Sequence, residues 1–286
     1  MVHDLAEWPS VIIPAFNAPR ELDRCLQSVA QTVPAGTEVI VIDDASTDPA
    51  TGEILAGWSE NAGSGWKFAF NPRNLGFVGT VNRGLRDTAG DVVLLNADTE
   101  VTRGWLEGLA RCLASDAAIA TATPWTNNGE IASMPGFCAA NPPPADLRLL
   151  EAAWSDALVR SGPPLYPDIP TAVGFCMAIA RRAIDRIGLF DERLFGRGYG
   201  EENDFCMRAQ AAGLRNVLCD DVYVVHLGGR SFGPLGLKPG EDSMRRLLTR
   251  HPGYLEQVQA FIAADPLASR RQAIVEALER AGCRLG

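Results

Sequence analysis

"SVIIPAFNAPRELDRCLQSVAQTVPAGTEVIVI", residues 10–42, decides the fold class. Its two apolar ends, Ser10–Ile13 and Glu38–Ile42, have the length of buried strands. Between them "PRELDRCLQSVAQT" puts Leu22, Cys25, Leu26 and Val29 on one helical face, and Pro19 suits a first helical turn. Strand, helix and strand at this spacing predict a right-handed crossover joining two parallel strands. The unit then repeats. "TDPATGEILAGWSEN" offers Asp48 as a cap and Pro49 as the opening residue of a second helix. "WKFAF" (66–70) precedes "NLGFVGTVNRGLRDTAG", "DVVLL" (91–95) precedes "TRGWLEGLARCLAS", and "AIATA" (118–122) is a fifth apolar run. The expected fold is α/β, a Rossmann-like and mostly parallel sheet flanked by helices.

The rhythm changes after residue 123. "PWTNNGEIASMPGFCAANPPPADLR" is loop chemistry, a helix is expected near 145–160, and Pro-rich "SGPPLYPDIP" follows. "TAVGFCMAIA" (171–180) resumes the sheet, with a helix at about 181–187. Acid-rich "GYGEENDFCMRAQAAG" reads as a helix ended by Gly213 and leads into "LRNVLCDDVYVVHLGG". From about 241 two or three amphipathic helices form a C-terminal extension, 241–286, on a main domain of 1–240. These helices could pack on the core, pair two copies in a homodimer, or dock at a membrane surface.

Composition narrows the class. The 286 residues are 47% hydrophobic and 21% charged, ample for a globular core. A formal net charge of −9 argues against a nucleic-acid partner, whose recognition needs clustered Lys and Arg. A polyanionic ligand would need a local cation or backbone N–H groups, because the overall field repels it. Seven cysteines form no CxxC pair, so buried reduced thiols are expected. "MVHDLAEWPS" has no basic start or apolar stretch, and no run approaches a membrane span, so a cytoplasmic location is expected.

Ligands of open parallel sheets gather at the carboxyl ends of the strands. The predicted strands end in "PAFN" (14–17), "DDAST" (43–47), "NPRNLG" (71–76) and "NADTE" (96–100). Turns alone favour such residues, but four on one edge suggest a site. Asp98 is the sharpest of them. A carboxylate on a diphosphate-binding edge repels its ligand unless a hard cation such as Mg²⁺ or Mn²⁺ lies between. The competing reading makes it a cap for a helix beginning near Thr102, a task Thr99 or Thr102 could also perform. "GEEND" (200–204) is a second acid cluster. Crowded carboxylates raise one another's pKa, as a base working near neutral pH requires. Plain helix chemistry also accounts for acids in a first turn and for an Asp204–Arg208 pair. His226, at a strand end before two glycines, is either a structural histidine or a metal ligand. His251 and His3 carry no signal.

Taken together, "SVIIPAFN", "VIVIDDASTD", "NPRNLGFVGTVNRGL", "LLNADTEV", "GFCMAIARRAIDRIGLFDERLFGRGYGEENDFCMRAQAAG" and "VVHLGGRSF" resemble, in this order, the family 2 glycosyltransferases of GT-A fold, particularly their bacterial rhamnosyltransferase-like branch. The resemblance spans about 9–235 and implies a nucleotide-binding half (about 9–122) and an acceptor half (about 123–240). It implies inverting, metal-dependent transfer of a sugar from a dTDP-, UDP- or GDP-linked donor to a glycan or lipid-linked acceptor, as in polysaccharide biosynthesis. "NADTE" resembles the metal-binding DxD-type motif, with Asn96 in the first acidic position, Asp98 as the ligand and His226 as its co-ligand for Mn²⁺ or Mg²⁺. Pro14, Phe16, Asn17, Asp43 and Asp44 match nucleoside-binding positions, and Arg73 and Gly76 fall in the stretch that passes the donor. Glu202 takes the general-base position, with Glu where the family more often has Asp, and Glu201 orients the acceptor. Gly196, Gly198 and Gly200 suggest closure over both substrates. Without membrane helices or a QxxRW sequence the enzyme is expected to add one sugar at a time. The rivals are a sugar nucleotidyltransferase, which would need a Gly-rich basic loop where "PAFNAPRELD" has only Arg20, and a catalytically inactive nucleotide-sugar-binding module.

Overall fold

Strands form where the apolar runs lie. The computed structural model describes residues 8–196, 198–228 and 241–285. Its strands are β1 (Ser10–Ala15), β2 (Val39–Asp43), β3 (Trp66–Phe70), β4 (Val92–Leu95), β5 (Thr99–Val101), β6 (Ile119–Trp125), β7 (Cys176–Ile179) and β8 (Arg215–His226). They lie in the order β3-β2-β1-β4-β7-β6-β8-β5. β3, β2, β1 and β4 are parallel, as the crossover rule requires. β7 enters antiparallel to both β4 and β6, and β8 runs parallel to β6. The sheet is therefore mainly parallel, with its irregular pairings in the second half.

The helices are α1 (Pro19–Thr32), α2 (Pro49–Asn61), α3 (Gly76–Arg86), α4 (Trp105–Ser115), α5 (Leu147–Ser161), α6 (Arg181–Ile187), α7 (Glu192–Phe195), α8 (Glu201–Ala211), α9 (Glu241–Arg250), α10 (Tyr254–Ala264) and α11 (Ala268–Arg280). Successive residues of β1 feed opposite layers. Val11 and Ile13 pack with Leu22 and Leu26 of α1 and Trp105 of α4. Ile12 packs with Val78, Val81 and Leu85 of α3 and Phe205 of α8. Burial on both faces is why the strand sequences are continuously apolar. Asp48 accepts the Ala50 N–H at 3.0 Å and Pro49 opens α2, as the sequence predicts.

The C-terminal helices share these layers. Leu247 of α9 and Tyr254 of α10 join the α3–α8 layer. Ile274 and Leu278 of α11 pack with Trp125, Trp154 and Tyr223 in a third cluster. Fully burying each of those two aliphatic side chains stabilises by about 1.5–3 kcal/mol. The tail therefore packs on the core.

Two local expectations are corrected. α4 begins at Trp105, after Gly104 in left-handed conformation, and neither Thr99 nor Thr102 caps it. Thr99 lies in β5 opposite His226, and the Thr102 hydroxyl donates to the Tyr223 carbonyl at 2.7 Å. Pairing with β8 outcompetes the cap because it satisfies a run of backbone groups together. The strand expected over 171–180 is confined to Cys176–Ile179. His3, Arg197 and the end of the "VVHLGGRSF" motif from residue 229 lie outside the described residues.

Candidate active site

The β1–α1 and β2–α2 loops are tied together at the carboxyl edge. Asn17 and Ala18 both have left-handed backbone, φ 54° and 53°. The Asn17 side-chain oxygen accepts the N–H groups of Thr47 and Asp48, each at 2.9 Å, and its own N–H donates to Ser46 Oγ at 2.8 Å. Asp43, half-buried at the end of β2, accepts the Ser46 hydroxyl at 2.5 Å. Pro14, near the end of β1, and Phe16, just after it, are half-buried. Asp44 is different. It is 4% exposed, and its carboxylate accepts from Leu75 N at 2.7 Å, Gly76 N at 2.9 Å and Asn71 Nδ2 at 2.8 Å. Those bonds satisfy orphan N–H groups at the start of α3, so Asp44 anchors the donor-side stretch from behind. Gly76 is buried with φ 78°, and Arg73 is exposed.

The β4–β5 turn brings Asp98 to His226. Thr99 pairs with His226 across the two strands, and Leu227 N donates to the Asp98 carbonyl at 2.9 Å. Asp98 Oδ1 lies 3.6 Å from His226 Nε2, and both side chains are largely buried. His226 Nδ1 sits 2.5 Å from the Asn128 carbonyl. A carbonyl only accepts, so Nδ1 carries a proton and Nε2 is the nitrogen that faces Asp98. Burial lowers the pKa of His226, but the Asp98 carboxylate beside it more than compensates and the net direction is up. The Phe175 ring stacks on the imidazole, 5.3 Å between centroids. Asn127 clamps the His226 backbone, accepting its N–H at 2.9 Å and donating to its carbonyl at 3.0 Å. Asn96 is half-buried beside this turn, its carbonyl accepting the Thr99 hydroxyl at 2.7 Å.

Two such donors can share one cation. Ligands each about 2.1 Å from an ion lie at most about 4.2 Å apart, which the Asp98–His226 separation satisfies. The fixed imidazole tautomer also suits a ligand nitrogen. Among the described residues no cluster of three His, Cys, Asp or Glu ligands occurs, so any remaining coordination would come from outside this set.

The acids open α8. Gly200 precedes the helix at φ 104°, and a Cβ there would lie 3.0 Å from the Phe195 ring, so only glycine fits. Gly196 and Gly198 also have positive φ, so the glycine run serves a turn conformation. Glu201 is 5% exposed and its Oε2 has no hydrogen-bond partner among the described residues. Burial first, and then the Glu202 charge, lift the Glu201 carboxyl well above the ordinary range. Glu202 is half-buried and also raised, by burial and by the Glu130 charge. Of the two, Glu201 is raised the further, which makes it the more proton-retaining member of the pair. A Cβ on Gly198 would lie 3.5 Å from Phe77 and 4.0 Å from the Glu201 carboxylate, which sets this turn beside the start of α3.

Glu130, Asn127, Asn128 and Phe175 are the participants the sequence did not single out. Glu130 has left-handed backbone, φ 49°, in the loop that also supplies the two asparagines. One end of that loop holds His226, and the charge of Glu130 at the other end raises Glu202. "TNNGE" carried a signal: two adjacent Asn before Gly mark side chains that bond backbone rather than solvent.

Solved structures share this architecture at low identity. The chain aligns with GalNAc-T7, solved with UDP, GalNAc and Mn²⁺, at a TM-score of 0.65 and 18% identity, over 99% of this chain and 56% of that one. It aligns with the mannosyltransferase PcManGT from Pyrobaculum calidifontis, in complex with GDP-Man and Mn²⁺, at 0.58 and 19%, over 98% and 74%. S. aureus TarS with UDP-GlcNAc gives 0.54 and 18%, over 95% and 71%. In sequence, 101 residues are 30% identical to the glycosyltransferase GlyA of Streptococcus pneumoniae serotype 4, covering 35% of this chain and 14% of that much longer protein. The family model for glycosyl transferase family 2 matches residues 10–188, and the chain belongs to that family.

Proposed function

We propose that the chain is an inverting, non-processive glycosyltransferase that moves one sugar from a nucleoside diphosphate donor to an acceptor hydroxyl. The observation that carries this reading is the acid pair opening α8: Glu201 is buried and raised further than its half-buried neighbour, which makes Glu202 the readier of the two to ionise. Family membership and the donors bound by structural relatives support the same class. Neither rival reading gains a specific observation.

In this reading Glu202 takes the proton from the acceptor oxygen as that oxygen bonds to the anomeric carbon and the bond to the diphosphate breaks. A positioned base of this kind contributes roughly 10²–10⁴-fold. Glu201 orients the acceptor. Asp43 and the Pro14–Asn17 loop hold the nucleoside, and Arg73 and Asn96 border the path of the diphosphate. Asp98 and His226 would hold a divalent cation, Mn²⁺ or Mg²⁺, which when bound supplies Lewis-acid stabilisation of the departing diphosphate's charge. The acceptor is a glycan or lipid-linked glycan in polysaccharide biosynthesis, met in the cytoplasm or at the inner membrane face. Among the described residues no helix is long and apolar enough to cross a membrane.

The deciding experiment measures nucleoside diphosphate release from UDP-, GDP- and dTDP-linked sugars with Mn²⁺, with Mg²⁺ and with chelator. Metal-dependent release from one donor class is expected. Tight binding of a donor without release from any would leave the inactive module as the better reading.

A further inference from the structure

The turn "RHPGY", Arg250–Tyr254, joins α9 to α10 and lies beyond the stretch matched by the family model. Its side chains converge on the first turns of α8. Asp204, two residues after Glu202, is fully buried, and a buried carboxylate is costly unless its charge is met. Within its own helix Arg208 Nε donates to it at 2.8 Å. The remaining partners come from the tail. His251 Nε2 lies 2.8 Å from Asp204 Oδ1, and Arg250 Nη1 lies 3.2 Å from the same oxygen. Arg250 Nη1 also reaches Asp191 Oδ2 at 2.8 Å, while Asp191 Oδ1 caps α7 through Leu194 N at 3.0 Å. Tyr254 is 6% exposed and packs in one apolar layer with Phe205 and Cys206 of α8. Its phenol is raised by burial first and then by the Glu202 charge.

We propose that Arg250, His251 and Tyr254 are positioning residues for the acceptor base: this turn of the C-terminal helices clips the start of α8 through Asp204 and fixes where Glu202 points. The proposal rests on reading Glu202 as the base. Glu202 sits on the turn that also carries Asp204, so releasing the clip shifts the base without touching the donor-binding loops. A displacement of about 1 Å at a reacting group costs on the order of 10²-fold.

The test compares His251→Ala, which removes the donor to Asp204, with His251→Gln, which keeps a side-chain N–H. Three quantities are read on the full chain: amide exchange of residues 201–204, affinity for UDP, GDP and dTDP with Mn²⁺, and turnover on whichever donor the wild type cleaves. His251→Ala is expected to speed exchange at 201–204 and lower kcat roughly 10- to 10²-fold. Nucleotide affinity should stay within about twofold, and His251→Gln should restore most of both losses. Unchanged exchange with unchanged kcat overturns the clip. So does a fall in nucleotide affinity parallel to the fall in kcat, which marks general loosening. If Glu202→Gln keeps full turnover, the base assignment fails, while the exchange of residues 201–204 still decides whether the tail holds α8.

Discussion

Nε2 of His226 faces Oδ1 of Asp98 at 3.6 Å, across the two antiparallel strands that β5 and β8 contribute. Neither side chain chooses this arrangement alone. The strand register sets Thr99 opposite His226 and so brings the preceding Asp98 beside the imidazole, and the Asn128 carbonyl holds a proton on the far nitrogen.

That relationship predicts coupled losses of metal affinity. Asp98→Asn and His226→Gln should each weaken Mn²⁺ binding roughly 10-fold or more, with the double variant little worse than the poorer single one. Calorimetric titration of Mn²⁺ in the presence of nucleoside diphosphate measures this. Independent, additive effects would show that the two residues do not share an ion.

The acid pair predicts an asymmetry in turnover. Glu202→Gln should cut kcat by roughly 10²-fold or more, leaving nucleotide affinity near wild type. Glu201→Gln should cost less, because a carboxyl raised this far favours the neutral form that the amide imitates. Turnover of wild type should rise with pH through an apparent pKa above the ordinary carboxylate range, since ionised Glu202 is the working form. Initial rates from pH 4.5 to 8.5 report both, and a larger loss for Glu201→Gln would exchange the two roles.

Glu201 should also limit stability. Its folded-state pKa lies above its unfolded value, so between the two the native chain binds more protons and stability falls as pH rises. The cost grows by about 1.4 kcal/mol per pH unit across that window. Glu201→Gln removes it. The variant should melt higher than wild type near pH 7, with an advantage that shrinks toward pH 5. An advantage independent of pH would assign the gain to packing instead.

Legibility followed the range of the interactions. The crossovers, the Asp48–Pro49 helix start and the buried face of α1 are local patterns, readable because helix and strand periods are written in consecutive residues. Asp98 and His226 were readable as strand-end residues, and the resemblance linked them. Their separation and the tautomer of the imidazole are settled by partners about a hundred positions away, Asn127 and Asn128. β5 escaped notice because three residues carry no period, and its formation depends on β8. His251 had no local signal either, since its value lies in the charge of Asp204, 47 residues earlier. Residues that meet buried charges across the fold are the hardest to find from sequence, because nothing near them in the chain betrays the need.

Asp44 separates the two kinds of reading most sharply. Sequence resemblance assigns it to the nucleoside, whereas its carboxylate is engaged by Leu75 N, Gly76 N and the Asn71 amide. Asp44→Ala leaves those buried donors unmet, at about 1–3 kcal/mol for each group that finds no water. A lowered melting temperature is therefore expected even with no nucleotide present. Asp43→Ala, at a half-buried position whose hydrogen bonds stay within its own turn, should lower nucleotide affinity with a smaller effect on melting. Melting curves of both variants with and without UDP, GDP or dTDP and Mn²⁺ decide the matter. Loss of nucleotide-induced stabilisation in Asp44→Ala at an unchanged apo melting temperature would return Asp44 to the nucleoside. A fall in apo stability, with the ligand-induced increment preserved, makes it the residue that holds the donor-side helix in place.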